Sequence, residues 1–62
     1  MRIGIDLGGT KIEFIALDPN GAERLRFREH TPVNNYPETI ELIARNVSTI
    51  EKRFSVKCSV GI

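Results

Sequence analysis

The hydrophobic period of this chain changes twice along its 62 residues, and few folds can accommodate that change. Arg2 to Leu7 alternates: Ile3, Ile5 and Leu7 point one way, Gly4 and Asp6 the other, the pattern of a half-buried strand. Lys11 to Asp18 is apolar on both faces, with Ile12, Phe14 and Ala16 on one and Ile15 and Leu17 on the other. That pattern predicts an inner strand covered on both sides. Glu23 to His30 alternates again, with Leu25 and Phe27 inward and Arg24, Arg26 and Arg28 outward. A row of arginines along one face blunts an edge strand against pairing with another chain. Beyond Pro37 the period becomes helical: Ile40, Ile43, Ala44, Val47, Ile50 and Phe54 predict one apolar stripe down a helix of about five turns. Finally Val56, Cys58, Val60 and Ile62 alternate with Ser55, Lys57, Ser59 and Gly61, a closing strand.

The connections set the topology. Gly8-Gly9-Thr10 reads as a tight turn, in which glycine takes positive φ freely. Asp18-Pro19-Asn20-Gly21 is a second turn. Thr31 to Tyr36 is a loop; Pro37 suits the first turn of a helix, and Glu38 suits its positive end. Tight turns make the first three strands an antiparallel meander. The helix is then a crossover that returns the last strand parallel to the first. The expected fold is α/β, in the sequence β-β-β-α-β, with strand order 3-2-1-4 and the helix on one face. The other face has no cover within this chain. Exposed apolar surface, a free edge on the last strand and self-association of the isolated chain are expected.

Composition removes several function classes. Hydrophobic residues at 40% and charged residues at 27% describe an ordered chain. At this length folding buries only about 60% of the unfolded surface. One small domain or a piece of a larger one is expected, too small for a complete enzyme with two substrates. The net charge of +1 gives no general attraction to nucleic acid or to an anionic membrane. Apolar runs such as Phe14-Ile15-Ala16-Leu17 are far too short for a membrane span. Met1 to Asp6 has no h-region of a signal peptide, so an intracellular, cytoplasmic chain is expected. Cys58 alone builds neither a disulfide framework nor a zinc site and reads as an inert buried thiol. His30 reads as a surface residue, and Asn46-Val47-Ser48 as helix rather than a glycosylation site.

The chemistry lies in Gly4-Ile5-Asp6-Leu7-Gly8-Gly9-Thr10-Lys11. It is not a Walker loop, because Thr10 precedes Lys11 and strand residues follow where a helix should open. It lacks the G-x-G-x-x-G spacing of a dinucleotide turn. A hairpin turn can nevertheless hold phosphate. Gly8 and Gly9 let an anion approach the backbone, and the amides of Gly8, Gly9 and Thr10 can converge on its oxygens. The Thr10 hydroxyl and Lys11 ammonium add donors and charge. Asp6 is informative because a carboxylate beside a polyphosphate is repulsive unless a cation lies between them. Mg²⁺ accepts carboxylate, water and phosphate oxygens together, so Asp6 is the candidate metal residue, directly or through water. Nothing in this reading places Glu13 or Asp18 near the turn.

Ile3 to Lys11 resembles the first phosphate motif of the ROK family of sugar kinases and repressors, within the actin/hexokinase-like (ribonuclease H-like) ATPase superfamily. The resemblance extends over the whole chain, including the helix after Thr31-Pro32 and the closing Cys58-Ser59-Val60-Gly61-Ile62. It implies that residues 1–62 are a partial amino-terminal ATPase lobe, truncated and without a second domain. It implies transfer of the γ-phosphoryl group of ATP to a hexose hydroxyl, with fructose as first expectation and N-acetylglucosamine as alternative. Gly4, Ile5, Asp6, Leu7, Gly8, Gly9, Thr10 and Lys11 would bind the phosphates, and Asp6 would help organise Mg²⁺. The full-length protein would be a homodimer. The sugar-hydroxyl base, the adenine pocket and the family's His/Cys zinc ligands fall outside this chain, so no catalytic residue is assigned and the isolated chain should be inactive. A sugar-sensing repressor lobe is a further reading, but repressors of the family carry their DNA-binding segment ahead of this lobe, whereas Met1 stands directly at the first strand. A small stand-alone interaction module is the remaining one.

Overall fold

The computed structural model describes residues Met1–Ile62. Its elements are β1 (Arg2–Leu7), β2 (Lys11–Leu17), β3 (Glu23–His30), α1 (Tyr36–Phe54) and β4 (Ser59–Gly61). They form one sheet in the order β3-β2-β1-β4. The β1/β2 and β2/β3 pairs are antiparallel, and β4 lies parallel to β1. The expected topology and strand order are those observed.

The second turn shows why the meander closes where it does. The Asp18 carboxylate accepts hydrogen bonds from the Asn20 and Ala22 amides at 2.9 and 3.0 Å, an Asx turn that tightens the chain locally. Gly21 has φ +86°, a left-handed conformation that suits glycine. The ladder then slips by one residue: Ala16 faces Leu25 while Leu17 faces Glu23, leaving Arg24 bulged. The bulge moves Arg24 off the arginine row. Its guanidinium lies over the Phe54 ring of α1, 5.3 Å from the centroid, a cation–π contact. Only Arg26 and Arg28 stay in the expected row.

Helix α1 begins at Asn35, whose side chain accepts a hydrogen bond from the Glu38 amide at 3.0 Å. It covers one face of the sheet. Ile3, Ile5, Ile12, Phe14 and Ala16 from the sheet bury against Leu42 and Ile50 from the helix. Phe14 stacks on Phe27 with ring centroids 4.9 Å apart. Leu7 shares the face of Ile3 and Ile5 but stays exposed. The buried side of α1 departs from the expected stripe. Thr39 and Leu42 are buried, whereas Ile40 is half exposed and Ala44 is exposed. Polar residues hid the true phase. The Thr39 hydroxyl donates to the Asn35 carbonyl, and the Asn46 amide donates to the Glu29 carboxylate at 2.7 Å and the Leu42 carbonyl at 2.9 Å. Satisfied in this way, they can sit against the sheet.

The closing strand is shorter than the alternation suggested. Ser55 ends the helix in the left-handed region at φ 54°, and the Val56 amide returns to the Glu51 carbonyl. The Cys58 amide donates to the Glu51 carboxylate at 2.8 Å. Only Ser59, Val60 and Gly61 find partners, opposite Arg2, Ile3 and Gly4. Strand β2 is covered by the helix on one face only, so Ile15 and Leu17, on the other, are half-buried rather than enclosed. No helix is long and apolar enough to cross a membrane.

Candidate functional site: the first hairpin turn and the charged row beside it

The turn between β1 and β2 is closed by one backbone hydrogen bond, from the Gly8 amide to the Lys11 carbonyl at 3.0 Å. The loop after β3 holds it from outside. The Thr31 hydroxyl donates to the Gly8 carbonyl at 2.9 Å, and the Thr31 amide donates to the Thr10 carbonyl at 2.9 Å. The amide of Gly8 is therefore engaged in the turn. Those of Gly9 and Thr10 donate to no protein acceptor. The sequence suggested three converging amides; the fold leaves two open. Neither Gly8 nor Gly9 adopts positive φ, contrary to expectation. Their reasons for being glycine differ. A Cβ on Gly8 would come within 2.8 Å of the Lys11 carbonyl oxygen, whereas one on Gly9 would meet no atom within 4 Å. The chain itself requires bare backbone at Gly8. At Gly9 the chain imposes no such requirement, and the space above it is open.

Asp6 and Lys11 flank the turn, one on each strand, and both are exposed. The Asp6 carboxylate accepts no hydrogen bond, and the Lys11 ammonium has no carboxylate within ion-pair distance. No three His, Cys, Asp or Glu side chains converge as a metal cage. A single uncommitted carboxylate fits Mg²⁺, which keeps several waters and takes phosphate oxygens from its substrate. It does not fit a structural zinc site. Ile5 is buried in the core, and Gly4 lies within the strand opposite Ile15. Gly4, Ile5 and Leu7 thus belong to the strand that carries Asp6 to the turn.

Glu13 lies directly opposite Asp6, contrary to expectation, and Arg28 lies directly opposite Glu13. Asp6, Lys11, Glu13 and Arg28 line one shallow recess. Glu13 accepts from Arg26 Nη1 with Oε1 and from Arg28 Nε with Oε2, both at 2.9 Å. Arg26 is also clamped by Glu23 at 2.8 and 3.0 Å. The Arg28 hydrogen bond, reinforced by the charges of both arginines, holds the Glu13 carboxyl below its usual range despite partial burial. The hydrogen bond and charge of Glu23 raise the Arg26 guanidinium further. The row was legible in principle. A hairpin closed at Gly8 and Lys11 pairs residues equally far from its centre, which sets Asp6 against Glu13. The arginine row is thus a set of cross-strand ion pairs rather than a merely solvated edge.

The family model that matches this chain is described as the ROK family and covers residues 2–62. Similar proteins include the N-acetyl-D-glucosamine kinases of Histophilus somni (strain 129Pt), 36% identical, and Vibrio cholerae serotype O1, 37% identical, each over 62 residues. That of Pasteurella multocida (strain Pm70) is 34% identical over the same length. Each match takes in all of this chain and 20% of the relative, so the chain spans about a fifth of the length of these curated relatives.

Proposed function

The chain belongs to the ROK family, and on that premise we propose that residues 1–62 form the amino-terminal phosphate-binding part of an ATP-dependent sugar kinase. The observation that carries the reading is the turn itself. Two free amides, at Gly9 and Thr10, adjoin open space over a glycine that the chain does not need as glycine. An unpaired carboxylate and an unpaired ammonium stand on either side. Phosphoryl transfer requires positioning and charge stabilisation above all, and these groups supply both. The Gly9 and Thr10 amides would donate to phosphate oxygens, and Lys11 would neutralise charge on them. Asp6 would hold Mg²⁺, directly or through water, and the ion would supply positive charge against the phosphates. Gly8 would act by closing the turn rather than by donating to the ligand.

The sugar expected first, fructose, is not the one the relatives favour. Each relative described above carries the name N-acetyl-D-glucosamine kinase. N-acetylglucosamine is accordingly the acceptor proposed.

The test is a titration with Mg²⁺-ATP of the ¹⁵N-labelled protein in the longest available form that contains this segment. The Gly9 and Thr10 amides should move and saturate together, and no response at either would refute phosphate binding at the turn. In the protein encoded by the full reading frame that contains this segment, Asp6→Ala should lower kcat far more than it changes KM for the sugar. Unchanged turnover would remove Asp6 from the mechanism. Faster turnover of fructose than of N-acetylglucosamine would restore the discarded sugar.

A further inference from the structure

We propose that Arg28, on the third strand, is a further phosphate contact of this site, held in position by Glu13. The inference rests on the phosphate reading of the turn and extends it to a residue outside the Gly4–Lys11 segment.

The two arginines that meet Glu13 are used differently. Arg26 has every guanidinium nitrogen engaged: Nε and Nη2 with Glu23, Nη1 with Glu13. Arg28 is gripped through Nε alone, at 2.9 Å, and its two terminal nitrogens make no hydrogen bond. A guanidinium held side-on by Nε is oriented yet keeps its fork for a second acceptor. That fork matches the paired oxygens of a phosphate. Arg28 lines the same recess as Asp6 and Lys11, and its side chain is 65% exposed. Arg26 does not line that recess.

Glu13 makes the arrangement workable. It stands opposite Asp6, and a bare carboxylate there would repel an anion. Its two oxygens are instead each occupied by an arginine, and its side chain is only 18% exposed. The pairing cancels its charge and aims Arg28. Its neighbours on the same sheet face are Asp6 on β1, Lys11 on β2 and Arg28 and Arg26 on β3. With Mg²⁺ at Asp6, a polyphosphate reaching from the turn amides past Asp6 and Lys11 would meet the Arg28 fork across the recess. The ligand class is a nucleoside di- or triphosphate, whose further phosphate the Arg28 fork would take. A nucleoside monophosphate would reach the turn without needing Arg28.

The test uses the protein encoded by the full reading frame that contains residues 1–62 and follows the Gly9 and Thr10 amides and the Arg28 Nε–H by nuclear magnetic resonance during titration with Mg²⁺-ATP or with AMP. In the unaltered chain, the Arg28 signal should shift with Mg²⁺-ATP and not with AMP. Arg28→Gln should weaken Mg²⁺-ATP about tenfold, the scale of one hydrogen bond to a charged group, and change AMP binding less than about twofold. Arg28→Lys should recover part of the loss. Arg26→Gln should weaken Mg²⁺-ATP clearly less than Arg28→Gln does, because it frees one Glu13 oxygen but leaves the Arg28 fork and its Nε grip in place. Glu13→Gln should weaken Mg²⁺-ATP less than Arg28→Gln does, since it loosens the grip without removing the fork. A stationary Arg28 signal at saturation, or equal losses in the Arg26 and Arg28 variants, would overturn the proposal while the Gly9 and Thr10 response kept the turn reading intact. Silence at Gly9 and Thr10 would overturn both.

Discussion

Replacing Gly9 and Gly8 one at a time by alanine separates a ligand's need for bare backbone from the chain's own. An alanine Cβ at position 8 would lie 2.8 Å from the Lys11 carbonyl oxygen, where ordinary contact begins near 3.4 Å. The neighbouring atom is backbone, so the hairpin itself must open by about 0.6 Å. That movement strains the one hydrogen bond closing the turn, 3.0 Å from the Gly8 amide to the same oxygen. Losing the bond costs about 1 kcal/mol, and the residual crowding costs about as much again. Gly8→Ala should therefore destabilise by about 2 kcal/mol, a fall in Tm of roughly 8–16 °C for a chain of this size. Gly9→Ala meets no neighbour within 4 Å, and its φ is not left-handed. It should be neutral or stabilising by about 0.4–1 kcal/mol, through lost freedom of the unfolded chain. Thermal melts by circular dichroism give the stabilities, and Mg²⁺-ATP titration gives the function. The expected result at position 9 is an intact or higher Tm with nucleotide binding weakened at least tenfold, on the order of one blocked charge-assisted contact. Undiminished binding by Gly9→Ala would refute the link between the open glycine and a ligand. A Tm as low as that of Gly8→Ala would show that the space above Gly9 is not open.

Three further outcomes test the fold beneath the site. Phe14 is fully buried and stacked on Phe27, so Phe14→Ala should cost about 3–5 kcal/mol. A chain this small is stable by roughly 3–9 kcal/mol, so the urea midpoint should fall by about a third at the least and vanish at the low end of that range, and an unshifted midpoint would contradict the core described. Ser55 holds a left-handed cap at φ 54°, and Ser55→Gly should raise stability by about 1 kcal/mol, with an unchanged or lower Tm counting against that cap. Glu13 has a folded pKa below its ordinary 4.5, so its contribution is complete above that value and is lost as pH falls through the lower folded one. Glu13→Gln should be less stable than the unaltered chain at neutral pH and should lose less as pH drops from about 4.5; parallel acid titrations of the two would refute the ion-pair assignment.

Sequence reading succeeded where one residue's neighbours decide its state. The β-β-β-α-β order and the 3-2-1-4 strand arrangement follow from period, turn residues and crossover handedness, and each is observed. It failed where a polar group on the helix is satisfied by a partner that apolar counting ignores, whether one turn back or on another strand. Thr39 and Asn46 belong to the sheet side of α1 because Asn35 and Glu29 satisfy them; of the expected stripe, Ile43, Val47, Ile50 and Phe54 do face the core, whereas Ile40 and Ala44 do not. The bulge at Arg24 leaves no compositional trace, yet it transfers a cation from the arginine row to the Phe54 ring. At the turn, residue types identified the segment but not which amides stay free. That depends on Gly8 closing onto Lys11 and on Thr31 arriving from the loop beyond β3.

The face of the sheet opposite the helix holds its charges in place through the core on the other face. Toward the turn the face carries Asp6, Glu13 and Arg28 in one row across three strands, with Lys11 beside them. Away from the turn, Gly4 and Gly61 lie beside Ile15 and Leu17, with Arg2, Arg26 and Glu23 around them. Charged groups gain little from each other in open water, so an exposed row contributes little to stability. Its geometry is inherited instead from strands fixed on their far side by Ile5, Ile12 and Phe14, each of which adjoins a member of the row in sequence. Strand alternation makes this coupling unavoidable: Ile5 buries one face and the next residue, Asp6, faces the other. The same holds for Ile12 and Phe14 on either side of Glu13. The core beneath the helix therefore sets the spacing of the charges above it. A core substitution that shifts β2 against β1 would move Glu13 away from Asp6 and loosen Arg28 without touching any charged residue.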